Sequence, residues 1–231
     1  MLAIPLVALC AGAADAGAQG TAGSPPFRPR SVEVDLGGVF LGGIDFGEST
    51  ADLSGNETPP RPSPLFQVSS RLAPAPGVEA RIGLHVTRTV AVEGAFVVAR
   101  SPVDARITRD AEDAPSITAT EDLTQYLFEG SAVVHLHRLA FGGGAGVPFV
   151  MAGAGYVRQL HERRALVDTG TSYHAGGGVK YLFSRRPRGL VRGIGVRADA
   201  RVYVREGGFD LDEEEPTRTL PAASASLILA F

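Results

Sequence analysis

The alternation of apolar and polar residues in this 231-residue chain predicts an all-β fold, an eight-stranded antiparallel up-and-down transmembrane β-barrel. Three observations predict it. Eight runs of residues keep a period of two, as strands with one buried and one differently solvated face do. The connections between the runs alternate long and short, which is how a membrane barrel arranges its outer loops and inner turns. No stretch past the N-terminus approaches the roughly 18 to 20 apolar residues of a spanning helix.

The runs fall at about residues 31–42, 77–86, 90–100, 122–137, 147–160, 172–183, 194–205 and 223–231. Sorted by parity, each shows one apolar face. Val32, Val34, Leu36 and Phe40 open the series, and Val78, Ala80, Ile82 and Leu84 follow. The seventh run sets Val196, Ala198, Ala200, Val202 and Val204 against Arg197, Asp199, Arg201 and Arg205. A soluble barrel alternates too, so the connections carry the choice. They are long at about 43–76, 101–121, 161–171 and 206–222, and shorter at 87–89, 138–146 and 184–193. An even strand count puts both ends of the barrel on one side, the periplasmic side for an exported chain.

Composition bounds the remainder. At 44% hydrophobic and 20% charged, with 29 glycines, the chain is too diluted in apolar residues for helical spans. A net charge of −3 and an isoelectric point near 6.0 give no electrostatic case for nucleic acid. The single cysteine, Cys10, lies in an apolar leader, so the mature chain has no disulfide framework. That leader, residues 1–18, reads as a signal peptide ending in Ala16-Gly17-Ala18, although no basic segment precedes it. Leu9 before Cys10 is too bulky for a lipidation site. Residues 19–30 read as a flexible lead-in and 31–231 as the barrel. The acidic residues from Glu206 to Glu215 and the basic residues from Arg185 to Arg192 read as solvated connections.

With the apolar face on lipid, the other face fills a bore wide enough only for side chains. Its acids are Glu33, Asp35, Glu79, Glu93, Glu129 and Asp199; its bases are Arg81, Lys180, Arg197, Arg201 and Arg205. Six against five predicts a lumen ion-pair network, because a desolvated charge needs a partner. Gly153, Gly155, Gly176 and Gly178 point inward as well, and either leave room for long side chains or relieve curvature.

The C-terminal run Ser224-Ala225-Ser226-Leu227-Ile228-Leu229-Ala230-Phe231 resembles the insertion signal of outer-membrane proteins, with Leu227, Leu229 and Phe231 as its apolar positions. The segments Val147 to Tyr156, His174 to Tyr181 and Val196 to Arg201 are similar to strands of the outer-membrane β-barrel domain family, the small OmpA- and OmpX-like barrels. The resemblance spans about Val32 to Phe231. It implies outer-membrane lipid as surroundings and the barrel-assembly machinery as partner during insertion; it names no surface partner and implies no activity.

The sequence assigns no catalytic residue, no cofactor and no metal. Gly142-Gly143-Gly144-Ala145-Gly146 lacks the Lys-Ser/Thr of a phosphate loop and reads as a flexible turn. His135, His137 and His174 form an incomplete ligand set, and Ser131 stands about 13 Å along its strand from His135, too far for a catalytic pair. The reading that results is a non-enzymatic outer-membrane barrel with a charge-plugged lumen and a structural or surface-interaction role. A porin-like channel is the alternative, an outer-membrane lipid hydrolase comes next, and a soluble binding barrel last.

Overall fold

The computed structural model describes residues 28–54, 62–108, 115–161, 167–186, 189–207 and 217–231. Residues 1–18, read above as a signal peptide, most of the lead-in and the acidic residues 210–215 lie outside them. The strands are β1 (Val32–Leu41), β2 (Ile44–Ser54), β3 (Pro62–Leu72), β4 (Ala75–His85), β5 (Val90–Thr108), β6 (Ile117–His135), β7 (Gly146–His161), β8 (Val167–Arg185), β9 (Gly193–Gly207) and β10 (Thr217–Ala230).

Eight of them close a barrel in the order β1-β4-β5-β6-β7-β8-β9-β10, every neighbour antiparallel, with β1 pairing β10 across the last seam. Following register partners from Val34 through Ile82, Gly94, Gly130, Ala154, Tyr173 and Val204 leads to Thr219. Val34 itself faces Leu229, ten residues away along β10. A shear of that size over eight strands tilts them by roughly 41°, from a 3.3 Å rise and a 4.8 Å strand spacing.

The segment 43–76, expected to be a loop, is largely sheet. β2 continues β1 and β3 leads into β4, so each pair is one long stave with a break at Gly42-Gly43 or Ala73-Pro74. β2 pairs β3, and β3 pairs the far half of β5. At Gly47, with φ +82°, the chain takes a left-handed bulge that glycine alone adopts without strain, and its N–H bonds the Asp45 carboxylate at 2.9 Å. β10 keeps β1 as far as Leu41↔Ala222; Pro221, which has no N–H, ends that ladder, and β2 goes on with β3.

Strand lengths correct the long loops generally. β5, β6 and β8 each have 19 residues, where a membrane strand needs about 9 to 11. The staves therefore project past the apolar belt at the end opposite Phe231. There the sorting reverses: Ile44, Phe46, Val103, Leu123 and Leu220 turn inward and are buried, while Asp45, Asp104 and Thr219 face out. On that outer face Arg71 Nη2 meets Asp104 at 3.1 Å, and the Thr120 hydroxyl donates to Asp104 at 2.8 Å. These two partners, the hydroxyl foremost, hold the Asp104 carboxyl below its ordinary range.

Along the belt the outward parity is as read: Leu36, Val78, Ile82, Val92, Phe128, Val150, Val202 and Leu227 are all exposed. Aromatic residues gather at its two edges, Phe40, Phe96, Tyr126, Phe128, Tyr156 and Tyr173 at one, Phe141, Tyr181 and Phe183 at the other, as at membrane interfaces. The connection 138–146 is compact: a 3-10 helix, His137–Leu139, precedes a tight turn in which Phe141 and Gly146 exchange both backbone hydrogen bonds. Gly142, Gly143 and Gly144 all have positive φ there, so glycine serves the backbone conformation of the turn.

Candidate functional site in the barrel lumen

All eleven charged residues singled out in the sequence point inward and are buried. The structure brings ten of them into one connected network. At the end near Phe231, Lys180 Nζ on β8 bridges Glu33 on β1 (2.5 Å) and Glu93 on β5 (2.9 Å). His85 Nε2 approaches the other Glu33 oxygen at 3.3 Å. Arg197 on β9 spans Asp35 (3.3 Å), Glu93 (2.8 Å) and Asp199 (3.0 Å), with its guanidinium carbon 4.5 Å from the centre of the Phe149 ring.

Further along the bore, Asp199 is shared. It accepts from Arg197, from Arg81 at 2.8 Å and from the Ser224 hydroxyl at 3.0 Å, and forms an ion pair with Arg201 at 3.0 Å. Arg81 also grips Glu79 at 2.7 Å, and Arg201 joins Glu79 (2.8 Å) to Glu129 (3.2 Å). The side chains come from seven of the eight staves, so the pairs cross the bore and tie strands that are not neighbours.

Arg205 departs from the expected pattern. Its Nη1 donates to Gln125 Oε1 at 2.6 Å, and among the described residues no ion pair joins it to the network. Charge occupies one part of the bore. Val39, Leu41, Val97, Leu127, Val157, Tyr203 and Leu220 form an apolar cluster toward the projecting end. They share the inward parity of the charged residues, and the signal was available in the same alternation.

The inward glycines serve the close approach of strands first. A Cβ at Gly176 or Gly178 would run into the carbonyl oxygen of Ala200 or Ala198 on β9. Room for side chains comes second: the same Cβ atoms would lie 2.8 Å from Arg201 Cγ and 2.6 Å from Asp199 Cβ.

The histidines divide. Near the turn end the His135 ring lies tilted against His85 at a centroid distance of 5.0 Å and stacked on His137 at 6.0 Å. His174 instead pairs with Ser131, Oγ to Nε2 at 2.8 Å, an approach across β7 that distance along one strand could not reveal. Both residues are buried, and His174 Nδ1 has no hydrogen-bond partner among the described residues. A nucleophilic serine needs an imidazole held in one tautomer by a third group, and that group is missing at Nδ1. Ser131→Ala is therefore expected to cost about 1 kcal/mol, the worth of one buried hydrogen bond, read from the urea unfolding midpoint. A loss several times larger would make the pair an anchor of the wall. Among the described residues no group of histidines and carboxylates could hold a metal ion.

No family model matches the sequence, and no curated protein does. Among solved structures the chain is similar to Neisserial surface protein A, at 12% identity over 86% of this chain and 95% of that one, with a TM-score of 0.46. The outer membrane protein OprG of Pseudomonas aeruginosa is similar at 8% identity, 88% and 97% coverage and a TM-score of 0.48. Ail, the attachment invasion locus protein of Yersinia pestis, follows at 10% identity, 88% and 99% coverage and a TM-score of 0.39. At such identities the likeness extends to the course of the chain and no further. By its closed eight-stranded wall, its apolar belt and its aromatic edges, the chain is a small transmembrane β-barrel of the outer-membrane type.

Proposed function

We propose that this barrel is a non-conducting, non-enzymatic protein of the outer membrane that braces the envelope and presents extended hairpins for contact at the cell surface. The observation that carries the reading is the network across the bore. Arg197, Arg201 and Lys180 are at most 2% exposed, and each holds carboxylates from different strands. An ion could pass only where these pairs part, and parting them leaves charges desolvated without partners. The projecting staves, polar outside and apolar inside, give the surface role a rigid platform. Outer-membrane lipid surrounds the belt, and the assembly machinery reads the last strand, where Leu227 and Leu229 face out and Phe231 closes the seam through its N–H to Val32 at 2.8 Å.

The test is electrical. Inserted in planar lipid bilayers, the chain is expected to show no stepwise conductance at moderate voltage. Steps of reproducible size would overturn the plug and make the barrel a porin-like channel.

A further inference from the structure

The outer wall is uneven where β4, β5 and β6 run side by side. Gly94 and Gly130 face each other in the β5–β6 register, both outward. Their missing side chains open a recess of about 550 Å³ in the apolar belt, walled by Ala80, Ile82, Phe96 and Phe128. A second recess, of about 500 Å³, follows on the same strands toward the projecting end. Its lining turns polar, with Arg100, Asp122, Thr124 and Tyr126 beside Val78 and Val98.

Two arginines crown this stretch of wall. Arg100 lies beyond Phe96 and Val98 on β5 and Arg158 beyond Tyr156 on β7, with Thr124 and Tyr126 of β6 between them. Both are exposed, and among the described residues neither guanidinium has an ion-pair or hydrogen-bond partner. Their Cα atoms stand about 12 Å apart, by two strand spacings across and two residues along, and the tilt of the strands brings them nearly level. Elsewhere around the barrel the outward positions at that level hold Thr171, Glu206, Thr217 and Thr219 on β8 to β10, and Phe40 and Pro76 on β1 and β4. Among the described residues, positive charge at this edge of the belt is therefore confined to the side where the wall is recessed.

Such a wall selects an occupant with three parts. An acyl chain fills the lower recess, because lipid surrounds it. Two anionic groups meet Arg100 and Arg158, since cations so far apart outreach a single phosphate. The head between them carries hydroxyls, because Asp122 lines the same recess, and a carboxylate repels a bare phosphate but accepts from a hydroxyl. Acyl chains on a sugar head with a phosphate at either end are the chemistry of a lipid A type of glycolipid.

We propose that the outer face of β4 to β7 is a docking site for one bisphosphorylated, acylated disaccharide of the outer leaflet, its phosphates on Arg100 and Arg158 and an acyl chain over Gly94 and Gly130. This rests on the reading that the projecting end faces the cell surface, and it deepens that reading: the lipid around the belt is held at one place by its head.

The test varies the lipid. The full chain is folded in detergent and moved into phosphatidylcholine vesicles that contain increasing amounts of bisphosphorylated, hexa-acylated lipid A. The thermal midpoint is followed by the boiled-against-unboiled gel shift, and the glycolipid retained on release into mild detergent is counted by native mass spectrometry. The midpoint is expected to rise by a few degrees and saturate with one glycolipid retained, since a ligand bound only by the folded state stabilises it by mass action. The same glycolipid without phosphates, and phosphatidylglycerol at equal negative charge, should need several-fold higher fractions for the same rise. The double variant Arg100→Gln/Arg158→Gln is expected to move the half-saturating fraction several-fold upward. Gly94→Leu should do the same by filling the recess, and it spares the fold because a Cβ there meets nothing closer than 3.8 Å. Arg192→Gln, at an exposed arginine of the turn end, should leave the titration as it is. These vesicles offer the glycolipid at both ends of the barrel, so the result does not depend on which end faces out. Labelling of Thr118→Cys on whole cells with a membrane-impermeant maleimide reports that separately, and an unlabelled cysteine would overturn the surface reading and with it the outer-leaflet occupant. A double variant that responds as the wild type does, or phosphatidylglycerol that serves as well as the glycolipid, would overturn the site in favour of an unselective lipid shell.

Discussion

Arg197→Ala is expected to lower the unfolding free energy of the barrel by about 3 to 5 kcal/mol, the cost of leaving buried charge without its partner. Asp35 is the residue that suffers. Glu93 keeps Lys180, and Asp199 keeps Arg81 and Arg201, whereas among the described residues the one ion pair of Asp35 is with Arg197. The double variant Asp35→Asn/Arg197→Ala should therefore be more stable than Arg197→Ala alone, by a margin that exceeds the effect of Asp35→Asn in the wild type. Such non-additivity is what a double-mutant cycle measures. Arg197→Lys tests geometry in place of charge. One ammonium cannot reproduce a guanidinium that meets Asp199 through Nε and Asp35 and Glu93 through Nη1, and it loses the face-on packing against Phe149. An intermediate loss is expected. Urea unfolding in lipid vesicles reads all three, and an Arg197→Ala barrel as stable as the wild type would mean that water reaches these charges.

Parity was legible in the sequence because a strand cannot slip by one residue without turning every side chain to the wrong face. Thus Val34, Ile82, Val202 and Leu227 face out, and Glu33, Arg81, Arg201 and Asp199 face in. Height along the bore was not legible. It depends on the shear, which appears only when eight registers are chained together. For this reason Ser131 and His174, 43 positions apart, meet unannounced, and Arg205 bonds the neutral Gln125 although its parity points to carboxylates. The segment 43–76 was missed for a different physical cause. Beyond the belt water bathes the outer face, so the apolar residues Ile44, Phe46 and Leu72 turn inward while Asp45 and Arg71 turn out. The alternation persists with its sense inverted, and the breaks at Gly42-Gly43 and Ala73-Pro74 hide the change of phase. Charge in the middle of the bore and leucine at its projecting end follow from the same rule: where lipid covers the outside, the polar residues have only the inside to occupy.

The glycines of β8 allow the sharpest comparison, because identical changes at two positions should have opposite outcomes. An alanine Cβ at Gly178 would overlap the Ala198 carbonyl oxygen and come within 2.6 Å of Asp199 Cβ, the carboxylate that three arginines share. Neither obstacle is the free end of a flexible chain, so β8 and β9 must part, and the network is strained at its most shared residue. Gly178→Ala is expected to cost more than about 3 kcal/mol, and Gly178→Val to prevent recovery of the heat-modifiable form. At Gly130, on the outward face of β6, a Cβ would meet nothing within 4 Å and φ is ordinary. Gly130→Ala should leave the midpoint unchanged or raise it slightly, because it restricts only the unfolded chain. If both alanines were tolerated alike, the close approach of β8 to β9 would not be what requires glycine, and the curvature of the wall would have to arise elsewhere.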